Sequence, residues 1–158
     1  MLEFTAIEKE EKCFAPILLR ALDIVQVVEN EEEMARKQFK KQVVIQMIDG
    51  SYIAVRESFD EVKARINEYN LLDVSPYIEF FSLMDDDKQC RTLLRVGSII
   101  SVSVNDGETQ IELKSKYNNQ NISMFIFTKE DFETIKAKIL SAKNARCKRN
   151  KTKLNPAK

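Results

Sequence analysis

Cationic side chains occur at matching places in the two halves of this chain, and they are the residues best suited to ligand chemistry. Arg20 and Arg95 each end a predicted strand, and Arg56 and Lys129 each precede a predicted helix. Such paired cations can grip a ligand that carries two phosphates. Tyr52 is one of four tyrosines able to offer a ring face to a base. The alternative is that these are edge-strand charges, which discourage sheet-to-sheet aggregation.

The residue types that most enzymes need are missing or badly placed. The chain has no histidine, so a Ser-His or Cys-His pair or an imidazole metal site is excluded. Asp85, Asp86 and Asp87 fall in a predicted turn, where solvated charge is expected instead of ligands converging on a metal. There is no glycine-rich phosphate loop. The sequence therefore predicts a protein that is not an enzyme, with no catalytic residue, no metal site and no cofactor.

Three cysteines at wide spacing indicate a reducing compartment. Their odd number and the absence of a CxxC motif argue against structural disulfides, so we expect a cytoplasmic protein. Cys13 and Cys90 occupy equivalent places, which favours buried packing. We find no run of about 18 apolar residues and no secretory leader, and we therefore expect no membrane association.

The charge is divided between an acidic body and a basic tail. Residues 143–158 carry seven Lys and Arg and no acid. Removing those seven from the 25 basic residues leaves 18 against 25 acidic residues, a net charge of −7. Such a body is a poor platform for nucleic acid. The tail could bind nucleic acid or an acidic partner, or it could be a solvated end.

An internal repeat determines the predicted domain organisation. We interpret the chain as a tandem duplication because three pairs of segments match in the same order, at offsets of 76, 75 and 73 residues. The first repeat is assigned to 1–70, the second to 71–142 and the tail to 143–158. The matching segments are EFTAI (3–7) with EFFSL (79–83), LLRALDIVQVV (18–28) with LLRVGSIISVS (93–103), and IAVRESFDEVKARI (53–66) with IFTKEDFETIKAKI (126–139).

The first repeat is predicted to contain five strands and one helix. Asp49-Gly50 predicts a hairpin in which both turn residues have positive φ. Ser58 and Glu61 form the capping box of a helix with Phe59, Val62 and Ile66 on its apolar face. Alternating apolar and polar residues predict strands at 2–7, 15–20, 22–28, 42–48 and 51–56.

The second repeat follows the same plan, with a helix capped at Thr128 and Asp131. We therefore predict an α+β protein that is a tandem duplication of a small curved antiparallel sheet of about five strands, each copy closed by a C-terminal helix. Whether the two copies share one sheet stays open at this point. The predicted strands are 77–83, 90–95, 98–104, 108–114 and 122–127, and the predicted apolar face of the helix is Phe132, Ile135, Ile139 and Leu140.

Two loops distinguish the repeats, and recognition usually lies in such loops. The first repeat inserts ENEEEMARKQFKK (29–41), whose charges are spaced as in a short exposed helix. The second replaces Asp49-Gly50 with a polar loop at 115–121. The joining segment 67–76 is short and partly apolar, so the repeats are expected to pack together, as a pseudo-twofold pair.

The first repeat resembles the FlbD-like family of small bacterial and phage proteins. The resemblance covers about residues 1–67; it is weaker over 77–140, where the Asp-Gly turn is missing. It implies a small β-rich protein of bacterial or phage origin. The residues that carry it are Asp49, Gly50, Tyr52, Val55, Arg56, Glu57, Ser58, Glu61 and Val62.

The β-rich, helix-ended pattern is also similar to phage anti-defence sponge proteins of the first Thoeris anti-defence family. That resemblance implies sequestration of a cyclic ADP-ribose-type signal without cleavage. The leading hypothesis is accordingly a non-catalytic binding protein for a small phosphorylated, cyclic nucleotide-type signal. The ligand would be held by Arg20, Arg56, Arg95, Lys129 and Tyr52. The alternatives are a protein-interaction or regulatory adaptor, which could oligomerise further, and nucleic-acid binding through the tail.

Overall fold

The computed structural model describes residues 1–7, 14–30, 42–70, 76–84, 87–117 and 120–154. Within these ranges the chain forms an antiparallel sheet and two α-helices, which confirms the predicted α+β class. Cys13, Asp85, Asp86, most of the 29–41 insert and segment 71–75 lie outside the described residues. The strands are β1 (Leu2–Ile7), β2 (Phe14–Leu19), β3 (Ile24–Asn30), β4 (Gln42–Met47), β5 (Tyr52–Val55), β6 (Tyr77–Leu83), β7 (Gln89–Arg95), β8 (Ile99–Asn105), β9 (Glu108–Tyr117) and β10 (Gln120–Thr128); the helices are α1 (Phe59–Asn70) and α2 (Phe132–Leu154).

All ten strands belong to one open sheet in the order β2-β1-β5-β4-β3-β7-β6-β10-β9-β8. The first half of the chain contributes β1 to β5 and the second half β6 to β10. The halves meet through β3 and β7, a pairing that we call the junction. A pseudo-twofold would instead join equivalent strands of the two halves. The predicted pseudo-twofold is therefore wrong for the sheet, in which the halves lie side by side, head to tail.

The local backbone of each half has the same irregularity before its third strand. A short 3-10 turn spans Ala21–Asp23, and another spans Val96–Ser98, 75 residues later. The ladder that follows each turn shifts register between Ile24 and Gln26, and again between Ile99 and Ser101. Such bulges increase the local twist of a sheet. The two halves thus carry the same irregularity at places that correspond in sequence.

Two hydrophobic cores form, one with each helix. Phe59, Val62 and Ile66 of α1 are buried in the first core, as predicted. Ile135 of α2 is buried in the second, which Phe80 and other residues of the second half complete. Each helix thus covers the apolar side chains of its own half. These side chains lie on one face of the sheet because successive residues of a strand point to opposite faces.

The two cores also exchange side chains across the junction. Val25 of β3 belongs to the second core, and Leu93 of β7 belongs to the first. The adjacent Leu94 faces the second core, because successive strand residues point to opposite faces of a sheet. The junction is therefore a packed interface, in addition to a ladder of backbone hydrogen bonds.

The helix caps confirm one prediction and correct another. The Ser58 hydroxyl accepts from the Glu61 backbone N–H at 3.3 Å, and the Glu61 carboxylate accepts from the Ser58 N–H at 2.8 Å. In α2 the cap is Asp131, which accepts from the Thr134 N–H at 2.8 Å, because the helix begins at Phe132 and not at Thr128. The predicted apolar face of α2 was wrong at Leu140, which is 50% exposed.

The hairpin turns also differ from the prediction. Gly50 has a φ of +87°, but Asp49 does not have a positive φ, so the turn between β4 and β5 is not the predicted two-residue type. Both turn residues have positive φ at Asp106 and Gly107, between β8 and β9. The loop predicted at 115–121 is mostly strand, since β9 and β10 pair as far as Tyr117 and Gln120.

Three further predictions concern a cysteine, the basic tail and membrane-spanning helices. Cys90 is 1% exposed, which confirms its predicted burial. The backbone of the predicted tail continues α2 as far as Leu154. No helix in the described ranges is both long and apolar enough to cross a membrane.

Candidate interaction surface at the sheet edges

Two of the predicted ligand cations come to the same turn, and the chain's own acceptors engage both. Arg20 forms a bidentate ion pair with Asp23, with nitrogen-to-oxygen distances of 2.8 and 2.9 Å, and this contact raises the pKa of Arg20. Arg95 donates to the hydroxyl of Ser98 at 3.0 Å and to the carbonyl oxygen of Leu22. The contacts hold the 3-10 turn at Ala21–Asp23 against the second half of the sheet.

The other predicted ligand residues lie elsewhere. The Arg56 guanidinium carbon lies 5.0 Å from the centre of the Phe14 ring, beside β2. Lys129 is exposed just before α2. Tyr52 is 60% exposed, and its hydroxyl lies 3.8 Å from the sulfur of Met124. The contacts within the described residues do not bring these three together with Arg20 and Arg95.

A network of ion pairs crosses the junction. Glu79 on β6 accepts from Lys63 on α1 and, at 2.5 Å, from Arg91 on β7. Arg91 also reaches Asp60 at 2.8 Å, and its guanidinium carbon lies 4.5 Å from the Phe59 ring centre. Burial opposes ionisation of Glu79, but the two cations outweigh burial and lower the pKa of this carboxylate. Glu79 therefore stays charged through the neutral range and ties α1 to the second half.

A partly buried tyrosine adds to the same contact. The Tyr77 hydroxyl donates to the carbonyl oxygen of Ile24 at 3.0 Å. Burial raises the pKa of this phenol to about 12, so it remains a neutral donor. The backbone between the 3-10 turn and β3 is thereby fixed to the first strand of the second half.

The sheet curls far enough for the first half to touch the last strands of the second. The Gln46 amide on β4 lies 3.2 Å from the sulfur of Met124 on β10, although three strands separate β4 from β10. Near this contact the side-chain oxygens of Gln26, Gln46 and Ser115 are buried without a hydrogen-bond partner in the described part of the chain. Buried polar atoms of this kind are typically satisfied by internal water.

A solvent-open pocket of about 510 Å³ lies between β1 and α1. None of the five predicted ligand residues lines it. Its charged side chains are Glu3, Glu57, Glu68 and Arg65, an excess of acid that disfavours a phosphorylated ligand. Among the described residues, no three Cys, Asp or Glu side chains converge as ligands for a metal ion.

The outer edges of the sheet carry exposed apolar side chains. Leu18 on β2 is 60% exposed and Ile100 on β8 is 55% exposed. At the positions 75 residues away, Leu93 is 3% exposed and Val25 is 0% exposed, because both lie at the junction. The same residue positions are thus buried where the halves meet and exposed where the sheet ends. The correspondence between these positions is present in the sequence, but only the strand order shows which of them are exposed at the ends of the sheet.

Comparisons with known proteins give no relative from which to infer the function. The chain matches no protein-family model, no curated protein and no solved structure.

Proposed function

We propose that the chain is a tandem duplication of a unit of five strands and one helix. The strand order supports this proposal, since β2-β1-β5-β4-β3 in the first half is followed by β7-β6-β10-β9-β8 in the second. Counting from the first strand of each half, both orders are second, first, fifth, fourth, third. The bulges and 3-10 turns at matching positions add further support.

A repeated carboxylate contact also supports the duplication. The Glu57 carboxylate accepts from the backbone N–H of Thr5 at 3.0 Å and pairs with Arg65 at 3.3 Å. The Glu130 carboxylate, 73 residues later, accepts from the N–H of Phe81 at 3.0 Å and pairs with Lys138. In each half this carboxylate accepts the hydrogen bond that the backbone carbonyl of a further strand residue would accept. It thereby joins the first strand of the half to the start of the helix.

The function that the geometry supports best is a non-catalytic interaction module that binds polypeptide along its outer sheet edges. The observation that carries this proposal is the exposure of Leu18 and Ile100, one on each terminal strand. An exposed edge presents backbone donors and acceptors to an added strand, and apolar side chains beside it supply affinity. Exposed apolar residues are common on proteins and also occur on internal strands here, as at Phe81, but Leu18 and Ile100 lie on the two terminal strands, where the outer backbone groups are also open to an added strand.

Site-specific photo-crosslinking tests this function. A photoreactive phenylalanine analogue replaces Leu18 or Ile100, and the same analogue replaces Phe81 as the control. Phe81 is 50% exposed but lies on an internal strand. We expect defined crosslinked polypeptides from both edge positions and none from the control. Equal crosslinking from all three positions, or none from either edge, would exclude an edge-binding function.

A second candidate is the binding of a small phosphorylated signal. The observation that favours it is the meeting of Arg20 and Arg95 at one turn, with the Arg20 side chain 63% exposed. Thermal unfolding with a panel of cyclic nucleotides tests it. Binding at 100 times the dissociation constant stabilises a protein by about 2.7 kcal/mol, so a ligand should raise the melting temperature by several degrees, and Arg20→Ala should remove the rise. A melting temperature unchanged across the panel would contradict this candidate.

A further inference from the structure

The residues that join the two halves have counterparts at the two ends of the sheet. At the junction, Val27 pairs with Leu93 and Glu29 pairs with Arg91. Shifting the β3 residues forward by 75 and the β7 residues back by 75 gives Val102 opposite Leu18 and Val104 opposite Pro16. Both sets lie on the outer strands, β8 and β2. The two outer strands of the sheet thus correspond in sequence to the two strands that pair at the junction.

The side chains that cross the junction are also reproduced in type. Val25 enters the second core and Leu93 the first. Their counterparts, Ile100 and Leu18, are apolar and exposed. If β8 lay against β2 of another copy, Ile100 would point toward the first core of that copy. Leu18 of that copy would point toward the second core of this one. Apolar surface that is now in water would then be buried on both sides.

Both members of one ion pair at the junction have counterparts of the same residue type near the ends of the sheet. Lys63 and Glu79 correspond to Lys136 on α2 and Glu3 on β1. Glu3 is exposed, and Lys136 is exposed while pairing within its own helix with Glu133 at 3.2 Å. Charge complementarity of this kind fixes register and orientation when two surfaces meet.

Pro16 weakens the β2 edge. Its partner on β1 is Thr5, whose N–H bonds Glu57 and whose carbonyl accepts from the Arg56 N–H, both on the side away from β2. The backbone of Pro16 therefore faces the outer edge, where proline provides a carbonyl oxygen but no N–H. Arg91, which holds this place at the junction, supplies both the N–H and a guanidinium group that pairs with Asp60.

We propose that the partner of these edges is a second copy of this chain, with β8 of one copy pairing with β2 of the next as β3 pairs with β7. The proposal rests on the edge-binding function and names the polypeptide that is bound. The contact joins unlike surfaces, so it extends head to tail into chains of subunits unless the rotation closes a ring. The lost donor at Pro16 makes the intermolecular contact weaker than the junction.

Sedimentation of single variants and their mixture tests the arrangement. Leu18→Lys disables the β2 edge and Ile100→Lys disables the β8 edge, while each leaves the other edge intact. We expect the wild-type mass to rise with concentration and each variant alone to remain monomeric. An equimolar mixture should form a one-to-one dimer and nothing larger. Phe81→Lys is the control and should assemble as the wild type does. In dilute protein, where the wild type is also monomeric, unchanged melting temperatures would show that the variants are folded.

A gain of affinity provides the opposite test. Pro16→Arg restores the missing N–H and places a guanidinium group to meet Glu133, the counterpart of Asp60. We expect it to tighten self-association by about tenfold, the effect of one added hydrogen bond with an ion pair. A wild-type chain that stays monomeric at millimolar concentration, or a dimer that survives in either lysine variant alone, would overturn the proposal. Edge-specific crosslinks to a different protein would still leave the edge-binding function intact.

Discussion

Replacing Leu93 with alanine is expected to lower the free energy of unfolding by about 3 kcal/mol. Leu93 belongs to the second half in sequence, but it is 3% exposed and packs in the first core. Truncation removes apolar contacts and leaves a cavity that the junction strands can fill only in part. Urea denaturation followed by circular dichroism would measure the loss.

Leu18→Ala is the matched control for this prediction. Leu18 has the same residue type and the corresponding place on β2, but it is 60% exposed. Its truncation should change the free energy of unfolding by less than about 0.5 kcal/mol, when both variants are measured at low protein concentration. Equal losses in the two variants would mean that Leu93 is not buried between the halves.

Gly50→Ala is expected to destabilise the fold by about 3 kcal/mol, through two separate causes. Gly50 has a φ of +87°, a conformation that costs an L-residue about 1–2 kcal/mol. A Cβ atom there would also lie 2.4 Å from the backbone carbonyl oxygen of Lys116. Since that oxygen belongs to β9, the collision can be relieved only if the curl of the sheet opens, and overpacking of this kind typically costs 1–3 kcal/mol.

Gly107→Ala separates the two causes. Gly107 has nearly the same φ, +84°, but a Cβ atom there would meet no atom within 4 Å. We therefore expect only the backbone cost of about 1–2 kcal/mol. The difference between the two variants, measured by thermal or urea unfolding, reports the contact between the β4–β5 turn and β9. If the two alanine variants were equally stable, that contact would not exist.

Local features of the fold could be predicted from the sequence because their signals lie within a few residues. The alternation in 2–7 and 77–83 gives the bounds of β1 and β6 as observed. The Ser58 and Glu61 cap was also predictable, since a side chain and a backbone amide three residues apart must meet at a helix start. The start of α2 was misplaced because Thr128 also has a capping side chain, which instead donates to the carbonyl oxygen of Phe81.

Long-range features could not be predicted in this way. The pairing of β3 with β7 depends on packing between residues more than 60 positions apart, and periodicity carries no information about which edges meet. A repeat suggests a symmetric pair, yet copies joined in one chain can also stack side by side, as repeat proteins do. One local feature was also mispredicted: positive φ at both turn residues was expected at Asp49-Gly50 but occurs at Asp106-Gly107, because Asp-Gly alone does not distinguish between two-residue and bulged turns.

The candidate site also combines features that could be predicted from nearby residues with features that depend on the strand order. The correspondence between Arg20 and Arg95 was readable as residue types, but their partners Asp23 and Leu22 follow from the fold of the 3-10 turn. The exposed positions Leu18 and Ile100 are ordinary apolar residues of predicted strands. Only the strand order shows that these two stand at the ends of the sheet.

The measurement that tests the account most directly is amide hydrogen exchange at Leu93 and Leu18, followed by NMR in dilute protein. Both residues occupy the same place in their strands, and both amides face away from the first strand of their half. With β3 paired to β7, the Leu93 amide should exchange only through global unfolding, while the Leu18 amide exchanges rapidly at the outer edge. Equally rapid exchange at both amides would contradict the continuous sheet on which the edge-binding function and the head-to-tail assembly depend.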